Sequence, residues 1–152
     1  MTTVLACGTF DILHPGHVHY LNECKHLGDF LIVIVARNAN VQKFKGKNPV
    51  NNEYSRLRMV QSLKAVNLAI LGSEQNIYDR IVQLKPDIIA LGYDQNPKDD
   101  KILQELSVRG IQPRLVRISP HQEQEYKSSK IKQKIVEQTR SKESREPELA
   151  MA

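Results

Sequence analysis

Two histidines three residues apart, His14 and His17, stand in the segment Gly8-Thr9-Phe10-Asp11-Ile12-Leu13-His14-Pro15-Gly16-His17. The segment follows an apolar cluster of strand length, Val4-Leu5-Ala6-Cys7, and precedes a stretch of helical period. Those residue types suggest anion chemistry. Gly8 lets a ligand approach the backbone closely, while Pro15 and Gly16 set the turn that opens the helix. A helix N-terminus presents unpaired N–H groups and a partial positive charge, which suit a phosphate. Either imidazole can donate a hydrogen bond to a phosphate oxygen. A lone His pair also admits two plainer readings. One is a metal site, which wants at least a third ligand that nothing nearby suggests; the other is a pair of ordinary surface histidines.

Further candidates lie downstream. Lys45 and Lys47, with Lys43, sit in a polar Lys-rich loop expected from Asn38 to Asn52, which composition alone reads as a solvated basic loop. Arg56 falls in the next helix, where a surface salt bridge is the plain alternative. Leu91-Gly92-Tyr93-Asp94 closes a later strand; Gly92 would let a base lie against backbone, and Asp94 is placed to bond ribose or base, although Gly-Tyr-Asp alone is only a turn signal. Arg117 ends the last strand. Ser128 and Ser129, with Lys127 and Lys130 beside them, open the last helix, either as caps or as a second phosphate-binding N-terminus. Tyr126 just before them either stacks on a base or fills a gap.

These residues need elements to position them. Strands are expected at Val4 to Cys7, Phe30 to Ala36, Leu68 to Leu71, Asp87 to Leu91 and Arg114 to Ile118. Phe30-Leu-Ile-Val-Ile-Val-Ala36 is continuous rather than alternating, as in a parallel strand covered on both faces. Helices are expected from Pro15-Gly16 to about Leu27, with Gly28 as the C′ glycine, and from about Glu53 to Leu63, capped by Asn52. Others follow at Ile77 to Leu84, at Lys98 to Val108, and from Ser128 onward. The alternation predicts an α/β fold, a doubly wound five-stranded parallel sheet with right-handed crossovers. In such a sheet the fourth strand lies beside the first, and ligands bind at the carboxyl ends. The domain is expected over 1–140, with residues 141–152, Lys/Glu/Ser-rich and with little to bury, as a disordered tail.

Composition narrows the ligand. The chain has 152 residues, 22 Lys+Arg against 17 Asp+Glu, and a formal net charge of +5. Residues 1–126 hold 15 basic and 13 acidic side chains, and residues 127–152 hold 7 and 4, so more than half the excess lies in the final stretch. A nearly balanced body favours a small anionic ligand over a nucleic acid, which needs a broad basic face. No apolar run approaches the ~20 residues of a membrane span. The N-terminus has no signal-peptide pattern and the two cysteines make no disulfide framework, which fits a cytoplasmic protein.

Gly-Thr-Phe-Asp-Ile-Leu-His-Pro-Gly-His resembles the nucleotidyltransferase signature shared by cytidylyltransferases and pantetheine-phosphate adenylyltransferases. With Leu31 to Arg37, Lys43 to Lys47, Ala69 to Ser73 and Lys85 to Gln95, the chain is most similar to the archaeal-type FAD synthases. The resemblance implies a Rossmann-like fold and transfer of AMP from ATP to FMN, by direct in-line attack of the FMN phosphate on the α-phosphorus. It implies that His14 and His17 contact the triphosphate, with the Thr9 and Phe10 backbone beside the nucleotide and Pro15 and Gly16 at the helix start. It further implies that Lys45 and Lys47 reach the α- and β-phosphates, that Arg56 helps to close their loop, and that Arg117, Ser128 and Ser129 serve the phosphates. A divalent cation, Mg2+, is expected to come with the nucleotide rather than in a protein cage, and a homodimer is expected. The alternative enzyme is a CTP-dependent cytidylyltransferase acting on glycerol 3-phosphate or a similar phosphorylated alcohol. Against it, the compact Arg-Thr-x-Gly-Ile-Ser-Thr-Thr element of that group is replaced here by a longer stretch from Arg117 to Ser129. A catalytically silent nucleotide-binding or assembly protein is the third reading, opposed by the intact His pair and Lys loop.

Overall fold

Apolar runs that have no polar face must be covered from both sides, and in the computed structural model they are. The structure describes residues 1–95, 97–120 and 128–143; the expectation for Tyr126 lies outside the described residues, as does the expected tail except for residues 141–143, which continue the last helix instead. In chain order the elements are β1 (Thr3–Gly8), α1 (Pro15–His26), β2 (Phe30–Val35), α2 (Asn38–Lys45) and α3 (Glu53–Gln61), then β3 (Leu68–Leu71) and α4 (Ile77–Leu84). β4 (Ile88–Gly92), α5 (Asp99–Val108), β5 (Arg114–Ile118) and α6 (Ser128–Glu143) complete the described residues.

All five strands are parallel, in the order β3-β2-β1-β4-β5. Alternate residues of the central strands face opposite layers. Val4, Ala6, Leu31, Val33, Val35 and Ala90 pack with Leu21 and Cys24 of α1 and Val60 of α3. Leu5, Ile32, Ile34, Ile89 and Leu91 pack with Ile81 of α4 and Ile102 and Leu106 of α5. The chain builds outward through β2 and β3, then returns to lay β4 on the other side of β1. That reversal is the topological switch point, with the crevice outside the carboxyl ends of β1 and β4.

Two local expectations change. The segment expected as loop from Asn38 to Asn52 contains α2, closed by Gly46 in the left-handed region at φ 72°. Its one buried residue is Val41, so it carries almost no apolar stripe to read. Gly28 does follow α1, but not as a left-handed cap. A Cβ there would lie 2.7 Å from the Thr2 carbonyl oxygen, so the position requires a small residue where the chain turns past β1. Asn52 caps α3 as expected, its side chain accepting the Ser55 N–H at 2.9 Å.

Arg56 of α3 is 1 % exposed and is no surface ion pair. Its Nη1 donates to the Thr9 carbonyl at 2.8 Å and the Ala36 carbonyl at 2.7 Å, its Nη2 to Asn38 Oδ1 at 2.7 Å, and its Nε to the Asn51 carbonyl at 3.0 Å. One guanidinium thereby joins the loops leaving β1 and β2 to the start of α3. A lysine has no fork with which to reach these four acceptors. Arg56→Lys is expected to cost about 3 kcal/mol, because carbonyls buried without donors carry their full desolvation penalty. Urea unfolding measures it, and a loss below about 0.5 kcal/mol, the range of an ordinary surface substitution, would refute this role.

Candidate active site

A cavity of about 460 Å³ opens at the switch point, floored by the carboxyl ends of β1 and β4. Thr9, Phe10, His14, Gly16 and His17 line its β1 side, and Lys45 and Lys47 reach it from α2 and the residues after it. Gly92 and Asp94 line the β4 side, and Ser128 and Ser129 enter from the start of α6. Pro15 occupies the first turn of α1 and is exposed. Arg56 and Arg117 do not line this cavity. Arg56 stands behind it, as described above. Arg117 holds the turn after β4, donating to the Gly92 and Gln95 carbonyls at 2.7 and 2.8 Å and pairing with Asp99 at 2.7 Å.

The histidines are fixed by local geometry. His14 is the N-cap of α1, and its Nδ1 accepts the Gly16 N–H at 3.0 Å. An uncharged imidazole accepting at Nδ1 carries its proton on Nε2, leaving that nitrogen as the donor. The His14 and His17 rings stack with centroids 3.8 Å apart, and Phe10 meets His17 edge-on at 5.4 Å. Phe10 itself has φ 52°, a sparse region for an aromatic residue, and a Cβ on Gly8 would lie 2.8 Å from the Phe10 ring. Gly8 is therefore the residue that admits this ring position. Burial, the adjoining His14 and the charge of Lys45 push the His17 pKa down to about 3, and burial lowers that of His14. Both imidazoles are neutral at pH 7, and His17 Nδ1 is buried without a protein partner.

Two residues complete the cationic side. Asp11 is 8 % exposed; its carboxylate accepts the Val50 and Asn51 N–H groups, each at 2.9 Å, and Lys132 Nζ at 2.7 Å. Burial alone would raise its pKa, but the Asn51 amide, Lys132 and the Val50 amide together hold it below the ordinary carboxylate value. Lys132 lines the cavity with Lys45 and Lys47. Burial and the neighbouring charge of Lys132 lower the pKa of Lys45 against the opposing pull of Asp11. Beside the serines the sequence points to Lys130; it is Lys132 that reaches the cavity, while Lys130 is exposed. The one available signal is the spacing of four residues from Ser128, which puts Lys132 on the same helix face. Ser128 Oγ donates to the Ile12 carbonyl at 3.1 Å, so both contacts seat α6 on the loop after β1.

A helix N-terminus, two neutral imidazoles and three lysines facing one cavity have the chemistry to receive phosphates. Cys7 lines the floor, but burial pushes its thiol pKa up to about 12, which keeps it protonated. Among the described residues there is no group of three or more His, Cys, Asp or Glu placed to hold a metal ion. Nor, among them, is any helix long and apolar enough to cross a membrane.

Residues 5–134 match the cytidylyltransferase-like family. An FAD synthase of Archaeoglobus profundus is 52% identical over 143 residues, covering 93% of this chain and 91% of that protein. An FAD synthase of Thermoplasma acidophilum is 45% identical over 137 residues, covering 90% and 96%. Among solved structures, one described as the lipopolysaccharide core biosynthesis protein from Thermoplasma volcanium superposes with a TM-score of 0.77 at 45% identity, over 80% of this chain and 98% of that one.

The neutral His17 has a linked consequence for stability. Its folded pKa of about 3 lies below the unfolded value near 6.5, so between them the unfolded chain binds the extra proton. The stabilisation is complete above pH 6.5 and is lost as pH falls toward 3. From pH 7 to 4.5 the wild-type protein should lose about 2–3 kcal/mol more than His17→Gln. Urea midpoints at the two pH values test this, and parallel losses in both proteins would contradict it.

Proposed function

The chain belongs to the cytidylyltransferase-like family, with FAD synthases matching it over nearly their whole length, and from that premise we infer that it transfers AMP from ATP to FMN, giving FAD and pyrophosphate. The observation that carries the chemistry is the convergence of the α1 N-terminus, the neutral His pair and three lysines on one cavity at the switch point.

An oxygen of the FMN phosphate forms a bond to the α-phosphorus of ATP as the bond from that phosphorus to the pyrophosphate oxygen breaks. A phosphate monoester is largely dianionic at pH 7, so no general base is required. What the protein supplies is alignment and stabilisation of charge on the phosphoryl oxygens. His14 Nε2–H and the first turn of α1 serve the α-phosphate region. Lys45, Lys47 and Lys132 offset the charge that accumulates as two phosphorylated molecules are brought together. Asp94, Gly92 and the residues around Ile118 hold the nucleoside. Ser128 and Ser129 close on the phosphates from the opposite side. A divalent cation, Mg2+, belongs to the substrate as its ATP complex, where it shields the β- and γ-phosphates. A homodimer and a cytoplasmic setting accompany this reading, supported by the family resemblance.

Incubation with Mg2+, FMN and either ATP or CTP tests the assignment by the appearance of FAD from ATP or of the flavin–cytidine dinucleotide from CTP. FAD from ATP is expected to form, and pyrophosphate release from CTP and glycerol 3-phosphate with no FAD from ATP and FMN would reverse it. Lys45→Met and His14→Ala are each expected to lower kcat by about 10²–10³, the range for loss of one charge-stabilising donor. A chiral α-thio analogue of ATP should react with inversion at phosphorus, since the displacement is direct. Retention would require a covalent adenylyl intermediate.

A further inference from the structure

β1 and β4 pair in register only from Val4↔Ile88 to Ala6↔Ala90, although they continue to Gly8 and Gly92. Their outer neighbours stay paired to the end, β1 with β2 as far as Gly8↔Val35 and β4 with β5 as far as Gly92↔Ile118. The two central strands thus part from each other while each keeps its outer partner. Into the gap comes the side chain of Gln95. Its Nε2 donates to the Cys7 carbonyl of β1 at 2.8 Å, and its Oε1 accepts the Gly92 N–H of β4 at 2.7 Å. One planar amide donates to one strand and accepts from the other, as a peptide unit between them would.

We propose that Gln95 is a positioning residue whose side-chain amide is a spacer rung between β1 and β4, setting the width of the crevice that receives the nucleoside. The rung is itself held from outside. The Gln95 N–H donates to the Gly92 carbonyl at 3.2 Å, and Arg117 Nη1 bonds both the Gly92 and Gln95 carbonyls while Asp99 anchors its guanidinium. Gly92 lies directly against the rung, since a Cβ there would be 3.3 Å from Gln95 Cγ. The chemistry demands an amide of this length. A glutamate carboxylate would set an acceptor against the Cys7 carbonyl, a leucine would leave both backbone groups unpaired, and asparagine is one methylene short. Width at this point matters because Gln95, Gly92 and Asp94 line the same cavity as the phosphate-facing residues. The inference rests on the reading that ATP occupies that cavity with its nucleoside on the β4 side.

Gln95→Leu and Gln95→Glu separate the rung from a general loss of stability. At a temperature where all proteins are folded, both variants should raise the KM for ATP about tenfold at pH 8, from the penalty for unpaired backbone groups, while kcat and the KM for FMN stay within about twofold. Protonation of the carboxylate that Gln95→Glu introduces restores an O–H donor toward Cys7 while its other oxygen still accepts from Gly92. The Gln95→Glu to wild-type ratio of ATP KM should therefore fall toward one as pH drops from 8 through the titration of the introduced carboxyl, ordinarily about 4.3, with no such recovery in Gln95→Leu. Amide hydrogen exchange at Gly92 reads the rung without reference to activity, and should quicken in Gln95→Leu. Unchanged exchange at Gly92, or a Gln95→Glu ratio flat in pH, overturns the proposal. Faster exchange with an altered KM for FMN alone overturns instead the placement of the nucleoside on the β4 side.

Discussion

Strand-end carbonyls dictate much of this structure. A parallel sheet that opens a crevice at its carboxyl edge turns backbone acceptors toward loops, where no neighbouring strand can satisfy them. Arg56 supplies the donors for the ends of β1 and β2, at Thr9 and Ala36, and extends the same guanidinium to Asn38 and Asn51. Asp11 does the complementary task, accepting the N–H groups of Val50 and Asn51. These are the two buried charged side chains among the described residues, and Asn51 is bonded to both. The loop that carries Lys47 is therefore held at its end by two buried groups of opposite charge. Without them the lysines would have no fixed position relative to the histidines.

The electrostatics follow from that frame. Three lysines on one cavity repel one another, and Asp11, paired with Lys132, is the counter-charge that makes their assembly tolerable. The imidazoles, kept neutral by burial, add donors without adding to the repulsion. Under the proposed function, a bound triphosphate supplies the negative charge that the cluster lacks. The result is a receptor whose dipoles are in place before the ligand arrives, which is the condition under which they stabilise developing charge with little reorganisation.

Periodicity and motif were legible because each depends on neighbours in sequence. The uninterrupted run of β2, the alternation of strand and helix, and the signature from Gly8 to His17 all read directly. The lysines Lys45 and Lys47 were legible as types, though the short helix α2 beneath Lys45 was not, because Val41 alone faces inward. Arg56 was legible as a loop-closing residue by resemblance, and by composition only as a surface cation. Nothing local to it reveals that three of its four acceptors are backbone carbonyls, the most distant of them Thr9. Lys132 was hidden for the same reason, being one basic residue among several in a basic stretch. Its partner Asp11 lies 121 positions away.

The basic excess of the chain illustrates the division. Sequence alone determined that it is concentrated after residue 126 and that the body is nearly balanced, which pointed away from a broad polyanion-binding face. Sequence also determined the parallel α/β architecture and the strand–helix junction that carries the histidines, since hydrophobic period and turn chemistry are local properties of the chain. Only the tertiary structure decided which cations line the cavity. The return of the chain to β4 and β5 on the other side of β1 lets α6 seat on the loop after β1, and so places Lys132 beside Asp11 while Lys130, two residues earlier, faces solvent. Charge is a property of composition; its convergence on a ligand is a property of topology.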